Sequence, residues 1–324
     1  MSEQDNNIFA KISSEYFRFT ASEKKTADYV LSHKTDIQYM SISEMAYEIG
    51  VAEATISRFC RSLGLRGYND FKLSLAKATA LRELDADALA GSSAAAGHVG
   101  PAGNAGDMLG NAGGNSTAAH GEAGLTENSG AGDSEISKLT RNLVVTYNDA
   151  IRQTAAFVNE RELRKAVELL ADAELVYCMG QGGSMLMAME ASHLFSTVSP
   201  RFFAVQGSHV QVSKAALMNE KDVVLFFSYS GSTKEILELI SIAKERKAKV
   251  ILITRFLRSP GAKEADVVLQ CGSDEGPLQL SSVPAKIAQM FVVDMLYQEL
   301  CRIRAEQTRE NRESVAKALA EKHL

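Results

Sequence analysis

Metal- and thiol-based chemistry has almost no material in this chain. The four cysteines, Cys60, Cys178, Cys271 and Cys301, lie far apart within apolar segments, and no C-x-x-C pair exists. That sets aside zinc ribbons and disulfide frameworks and leaves the thiols as reduced packing residues. The six histidines are scattered, with no H-x-x-x-H pair, so no metal is expected. Long apolar runs are missing too: none approaches the ~18 residues that a membrane helix needs, and no membrane partner is expected. The opening residues Met1-Ser2-Glu3-Gln4-Asp5 are polar and acidic, with neither an apolar signal core nor an Arg-rich transit pattern, which gives a cytoplasmic expectation. Nor is there an excess of positive charge. A net charge of −5 argues against indiscriminate nucleic-acid binding but leaves room for a local basic face. Nucleotide fingerprints are incomplete: no G-K-[ST] closes a glycine-rich loop, and the one partial G-x-G-x-x-G has Met185 where glycine is required. No cofactor is expected.

What is present divides the 324 residues into two folded blocks and a tether. Residues 1–84 are the upstream block, in which 8–84 read as all helix. Residues 85–133 hold roughly half of the 23 glycines and little that is large and apolar, and no aromatic residue occurs between Phe71 and Tyr147. Such a stretch cannot bury enough surface to offset its ordering entropy, so it reads as a disordered Gly/Ala linker. As a flexible coil of about 49 residues it would span on the order of 40 Å. In residues 134–324, short apolar runs at 175–179, 201–205, 222–227, 249–254 and 266–270 alternate with helical patterns, notably 184–196 and 234–245. That alternation predicts an α/β domain with a parallel sheet wrapped by helices, closed by an amphipathic helix over 282–303.

The upstream block carries two helix starts with the capping-box order, Thr20-Ala21-Ser22-Glu23 and Ser41-Ile42-Ser43-Glu44. The helix from Ile42 is predicted to stop at Gly50, and Val51-Ala52-Glu53 to re-enter a helix running to about Leu63. Met45, Ile49, Val51, Ile56 and Phe59 supply inward positions, Ala46 permits a close crossing and Gly50 makes the bend. This is a helix-turn-helix pattern. With Ile56, Phe59, Cys60 and Leu63 inward, the second helix presents Ser57, Arg58 and Arg61, flanked by Thr55, as candidate contacts to double-stranded DNA. Arg66, Lys72, Lys77 and Arg82 add local positive charge, opposed only by Asp70.

Downstream, Val223-Val224-Leu225-Phe226-Phe227 leads into Ser228-Tyr229-Ser230-Gly231-Ser232-Thr233-Lys234-Glu235. A strand that delivers hydroxyls and a glycine to a helix start builds a phosphate cradle, because unpaired N–H groups and the helix dipole favour an anion there. Gly180-Gln181-Gly182-Gly183-Ser184 makes a second such turn. Ser184, Ser228, Ser230, Gly231, Ser232 and Thr233 are therefore the candidate ligand residues. The competing reading has these hydroxyls serving only as helix caps.

The chain resembles the RpiR family of bacterial transcriptional regulators. The resemblance is carried upstream by Thr20–Lys25, Met40-Ser41-Ile42 and Ala54-Thr55-Ile56-Ser57-Arg58-Phe59-Cys60 with Leu63-Gly64. Downstream, 180–184, 228–235 and Lys286-Ile287-Ala288-Gln289 resemble the SIS (sugar isomerase) domain. It implies an all-α helix-turn-helix domain followed by a flavodoxin-like SIS domain with a five-stranded parallel sheet. It also implies a phosphorylated-sugar effector, a homodimer or homotetramer, and control of sugar-metabolism genes. Two departures are Ala52, where the family often has serine, and a longer, more glycine-rich linker. The runner-up is an aldose–ketose phosphate isomerase with an attached DNA-binding module. Its base would come from Glu190, His193, His209 or Glu235.

Overall fold

The computed structural model describes residues 8–34, 36–93, 134–273 and 282–320, with side chains left out of account for 81–93. Two compact units emerge. One combines the described residues up to Ala80 with those from Val144 onward, and the other lies between Leu81 and Leu143. Most of the expected linker, 94–133, lies outside the described residues. Helix runs through residue 84, where the sequence reading ends the upstream block, and stops at Ser93. The alanine- and leucine-rich segment 84–90 has the propensity to extend it.

The upstream block is helical: α1 (Ile8–Glu15), α2 (Ala21–Ser32), α3 (Ile42–Ile49), α4 (Glu53–Ser62) and α5 (Tyr68–Ser93). Both capping boxes form. Thr20 and Ser41 accept from the backbone N–H of Glu23 and Glu44, whose carboxylates accept in return. Gly50 ends α3 in the left-handed conformation at φ 72°, and α4 follows after two residues. Met45, Ile56, Phe59, Cys60 and Leu63 are fully buried, with Ala46 nearly so, so α3 and α4 cross closely. Phe59 sits at the centre, its ring 5.0 Å from Phe19 and 5.9 Å from Phe71.

Downstream come α6 (Glu135–Ala156), α7 (Glu160–Asp172), β1 (Val176–Gly180), α8 (Gly183–Ser196), β2 (Phe202–Ala204), α9 (Ser208–Ala216), β3 (Val223–Phe227), α10 (Lys234–Glu245), β4 (Lys249–Thr254), α11 (Pro260–Glu264), β5 (Val267–Gln270), α12 (Val283–Ile303) and α13 (Ala305–Ala320). The five strands form one parallel sheet in the order β2-β1-β3-β4-β5. Side chains alternate between its faces. Val176, Cys178, Leu225, Phe227, Ile251 and Ile253 pack under α7, α8 and α12, while Val224, Phe226, Val250 and Leu252 pack under α9 and α10. Three layers result. All five expected strands occur within a residue or so of their predicted ends.

One helix went unforeseen. The pattern that ends at Ile303 is followed by α13, which is polar along most of its length. It is tied down by Asn311, donating to the Val198 carbonyl at 2.6 Å, and by Arg312, donating to the Tyr297 hydroxyl at 2.9 Å. Side-chain hydrogen bonds of this kind leave no apolar period in a sequence.

Candidate functional site

The order β2-β1-β3 means the chain leaves β1 toward one side of the sheet and later returns on the other. The crevice between β1 and β3 is thus a topological switch point, the place where open parallel sheets receive ligands. Register reinforces it: Gly180 pairs with Phe227, so both strands end at one level and deliver their loops side by side. Gly180 can only be glycine. A Cβ there would sit 2.7 Å from the Ser184 carbonyl oxygen, because α8 starts immediately over the strand end. Gly182, at φ 54°, makes the turn between them.

The two loops enclose a cavity of about 310 Å³ lined by Ser184, Ser228, Ser230 and Thr233, which the structure brings together from both turns. Their roles differ. Ser228 is buried and its oxygen accepts the Gly231 N–H at 3.0 Å, which shapes the loop. Ser230 Oγ accepts the Ser232 N–H at 3.3 Å. Thr233 is the N-cap of α10 yet makes no side-chain cap bond, and α8 begins at Gly182 equally uncapped. The pure-capping reading of these hydroxyls therefore fails at Ser184 and Thr233. By contrast Thr20, Ser41, Asn159, Ser259 and Ser282 all cap their helices. At α10 the uncapped first turn keeps N–H groups and a hydroxyl available to an anion, whereas in α8 the Ser184 and Met185 N–H groups donate to the Gln181 and Gly182 carbonyls at 3.0 and 3.1 Å.

Two expected residues lie elsewhere. Ser232 is exposed, donates to the Ser230 carbonyl at 2.9 Å and does not line the cavity. Gly231 is buried at φ 59° with its α-carbon turned toward Ser259 and Thr254, so it shapes the loop from behind. The turn that Gly231 makes explains both: it points the chain inward and carries the next side chain out.

Gln181, Tyr229, Ser282, Lys286 and Gln289 also line the cavity and were not among the expected ligand residues. Lys286 supplies the positive charge of the lining, since Lys234 at the start of α10 is exposed and does not line the cavity. It comes from the first turns of α12, and only the folded sheet brings that helix over β1 and β3. Gln181 is held from behind: its amide donates to Gln211 Oε1 at 2.7 Å. Gln211 is 1% exposed, and its own amide donates to the carbonyls of Gly180 and Val205 at 3.1 and 2.8 Å. A buried glutamine placed this way locks the turn after β1. The isomerase candidates are not in the lining. Glu190 and His193 pair with each other at 3.6 Å on an exposed side of α8, and His209 and Glu235 are exposed. Among the described residues, no group of three His, Cys, Asp or Glu side chains could hold a metal ion.

In the upstream block, Arg58 and Arg61 project from α4 exposed, with Thr55 and Ser57 half-buried beside them, on the side opposite Ile56, Phe59 and Cys60. Ala52 gives α4 no side-chain cap. Glu53, in its first turn, instead accepts from the Ser43 hydroxyl at 2.6 Å and ties α4 to α3. Burial pushes the Cys60 thiol up to about 12, and Cys178 in β1 likewise, which keeps both protonated as packing groups.

Residues 6–82 match the model of the helix-turn-helix domain of the rpiR family, and residues 169–298 match the SIS domain. An uncharacterized HTH-type transcriptional regulator of Caldanaerobacter subterraneus subsp. tengcongensis is 31% identical over 295 residues, covering 90% of this chain and 89% of the relative. The chain belongs to the RpiR family. A further HTH-type regulator, from Haemophilus influenzae, is 29% identical over 294 residues, 91% of this chain and 90% of its own. Among solved structures, the Vibrio vulnificus NanR protein complexed with ManNAc-6P superposes with a TM-score of 0.75 over 98% of this chain and 99% of its own, at 20% identity. The sugar isomerase domain of an RpiR transcription factor from Sphaerobacter thermophilus gives 0.51 over 56% of this chain and 99% of its own, also at 20% identity. These likenesses are of fold, over nearly the whole chain in the first and over the sugar isomerase domain in the second. No helix among the described residues is long and apolar enough to cross a membrane.

Proposed function

We propose that this RpiR-family protein is a transcriptional regulator that binds DNA through α4 and senses a phosphorylated sugar in the cavity between β1 and β3. One observation carries the proposal. Hydroxyls from two separate strand–helix turns line a single cavity at the switch point together with Lys286, while the helices behind two of them start uncapped. Hydroxyl donors, an ammonium and free helix-start amides are the complement of a phosphate dianion. The remaining lining groups, Gln181, Gln289 and Tyr229, can exchange hydrogen bonds with sugar hydroxyls. The related NanR protein, solved with ManNAc-6P, supports a sugar phosphate as the ligand class.

The reading is of a sensor and not of an isomerase. Aldose–ketose isomerisation needs a base beside the carbonyl. Among the described residues, the cavity lining contains neither carboxylate nor imidazole. A homodimer or homotetramer supplies paired heads for two half-sites about 34 Å apart. Ligand changes DNA affinity by binding one arrangement of the assembly more tightly than another. The test is a thermal-shift screen of sugar phosphates followed by operator binding with each hit. Stabilisation by at least one, with a changed DNA affinity and no turnover, is expected. No stabilisation by any of them would defeat the sensor reading, and turnover would replace it with the enzyme.

A further inference from the structure

The turn after β4 touches both the candidate cradle and the DNA-binding head. Leaving Thr254, the chain runs through Arg255-Phe256-Leu257-Arg258-Ser259 into α11. On the cradle side it is interlocked with the Ser228–Thr233 loop. Thr254 Oγ1 and the Arg255 N–H both donate to the Tyr229 carbonyl, at 3.0 and 3.1 Å. Phe256 meets the Tyr229 ring edge-on, with centroids 5.6 Å apart, and Tyr229 itself lines the cavity. Gly261 donates to the Gly231 carbonyl at 2.9 Å. Any side chain at Gly231 would collide with the Ser259 hydroxyl, the immediate neighbour of Arg258.

On the other side, the Arg258 guanidinium carbon lies 3.4 Å from the centroid of the Tyr47 ring. Tyr47 belongs to α3, the helix against which α4 is packed. A cavity of about 410 Å³ adjoins Arg258, with Glu44 and Glu48 of α3 on one wall and Arg255, Phe256 and Arg258 on the other. Acidic groups on the head thus face basic groups on the turn, and a guanidinium laid flat on a ring adds a directional contact.

We infer that the β4–α11 turn is the surface on which the sensor seats its own DNA-binding head, and that displacement of the cradle reaches α3 through it. The inference takes from the proposed function only the identity of what displaces the cradle. The contacts stand without it. A ligand that draws Ser230 and Thr233 inward moves Gly231 against Ser259, and Ser259 carries Arg258 with it. Gly231 and Ser259 are packed too closely for one to move without the other, and the chain links Ser259 directly to Arg258. This route from cavity to α4 does not pass through residues 94–133.

Hydrogen exchange on the full-length protein, free of ligand and DNA, tests it. Arg258→Ala is expected to speed exchange across α3 by about fivefold, the scale of one exposed cation–π contact, while β3 and β4 stay unchanged. Gly231→Ala, which forces Ser259 aside, is expected to speed α3 exchange in the natural background but to add nothing once Arg258 is removed. Phe256→Leu, a milder change to the same interlock, serves if Gly231→Ala does not fold. Unchanged α3 exchange in Arg258→Ala would overturn the inference. So would cradle variants that act on α3 equally with and without Arg258. Hexose 6-phosphates and N-acetylhexosamine 6-phosphates then separate the two claims. If one alters operator affinity equally in the natural protein and in Arg258→Ala, the inference falls and the sensor reading stands. If none alters it in the natural protein, the sensor reading falls, and exchange alone decides the inference.

Discussion

The two candidate surfaces are built in opposite ways. The DNA-facing surface is contained in the single helix α4, where Thr55, Ser57, Arg58 and Arg61 share a side because of helical spacing and Ile56, Phe59 and Cys60 share the other. The cavity draws on three segments, 181–184, 228–233 and 282–289, which approach only because β1 and β3 pair in register and α12 crosses their ends. A surface on one helix tolerates exchange of its exposed residues at little cost to folding. One assembled from three segments depends on backbone fit, as Gly180 beneath Ser184 demonstrates.

Breaking the core behind the DNA surface should have the largest effect. Phe59→Ala removes a fully buried ring that touches Phe19 and Phe71, and is expected to destabilise the head by about 3–5 kcal/mol, read by urea denaturation. Its exposed neighbour separates binding from folding. Arg58→Ala should weaken operator binding by about 1–3 kcal/mol with the denaturation midpoint unchanged, whereas a comparable loss on non-operator DNA would assign Arg58 to phosphate.

In the cavity, Ser230→Ala with Thr233→Ala should abolish ligand-dependent thermal stabilisation, each lost bond to a charged phosphate being worth about 1.5–3 kcal/mol. Ligand-free operator affinity should stay within about 0.5 kcal/mol of the natural protein, because both side chains lie away from α4. Retained stabilisation in the double variant would remove these hydroxyls from the site.

The smallest effect is on alkaline stability. Burial raises the Cys60 and Cys178 thiols from 9.0 to about 12, so the folded state holds protons that the unfolded chain releases. Their contribution is whole below pH 9 and is lost as the pH climbs from 9 toward 12. Replacing Cys178 by alanine should flatten that decline relative to the natural protein in pH-dependent urea midpoints. An identical slope would show that other groups dominate it.

How far each surface was legible follows from its construction. Both capping boxes, the Gly50 turn and the exposed side of α4 were readable because their causes lie within a few residues of each other. The strands were readable from short apolar runs between turns. Ser184 and Ser230 could be assigned to one sheet edge, since strand–turn–helix order fixes which end of a parallel sheet a loop occupies. The placement of Ser232 was not legible, because hydroxyl content says nothing of direction and the Gly231 turn carries that side chain outward. Lys286 belongs to a stretch that resembles the SIS domain, yet its distance along the chain gives no reason to set it beside Ser228.

Local signals along the chain specify a helix-turn-helix head ahead of a parallel α/β domain with two hydroxyl-bearing turns, because propensity, capping and apolar period act over a few residues. Packing between distant segments selects which of those hydroxyls face a common cavity, brings Lys286 and Gln181 beside them, and lays Arg258 on Tyr47. Those juxtapositions arise from strand register and helix crossing, which depend on the packing of residues far apart in the chain.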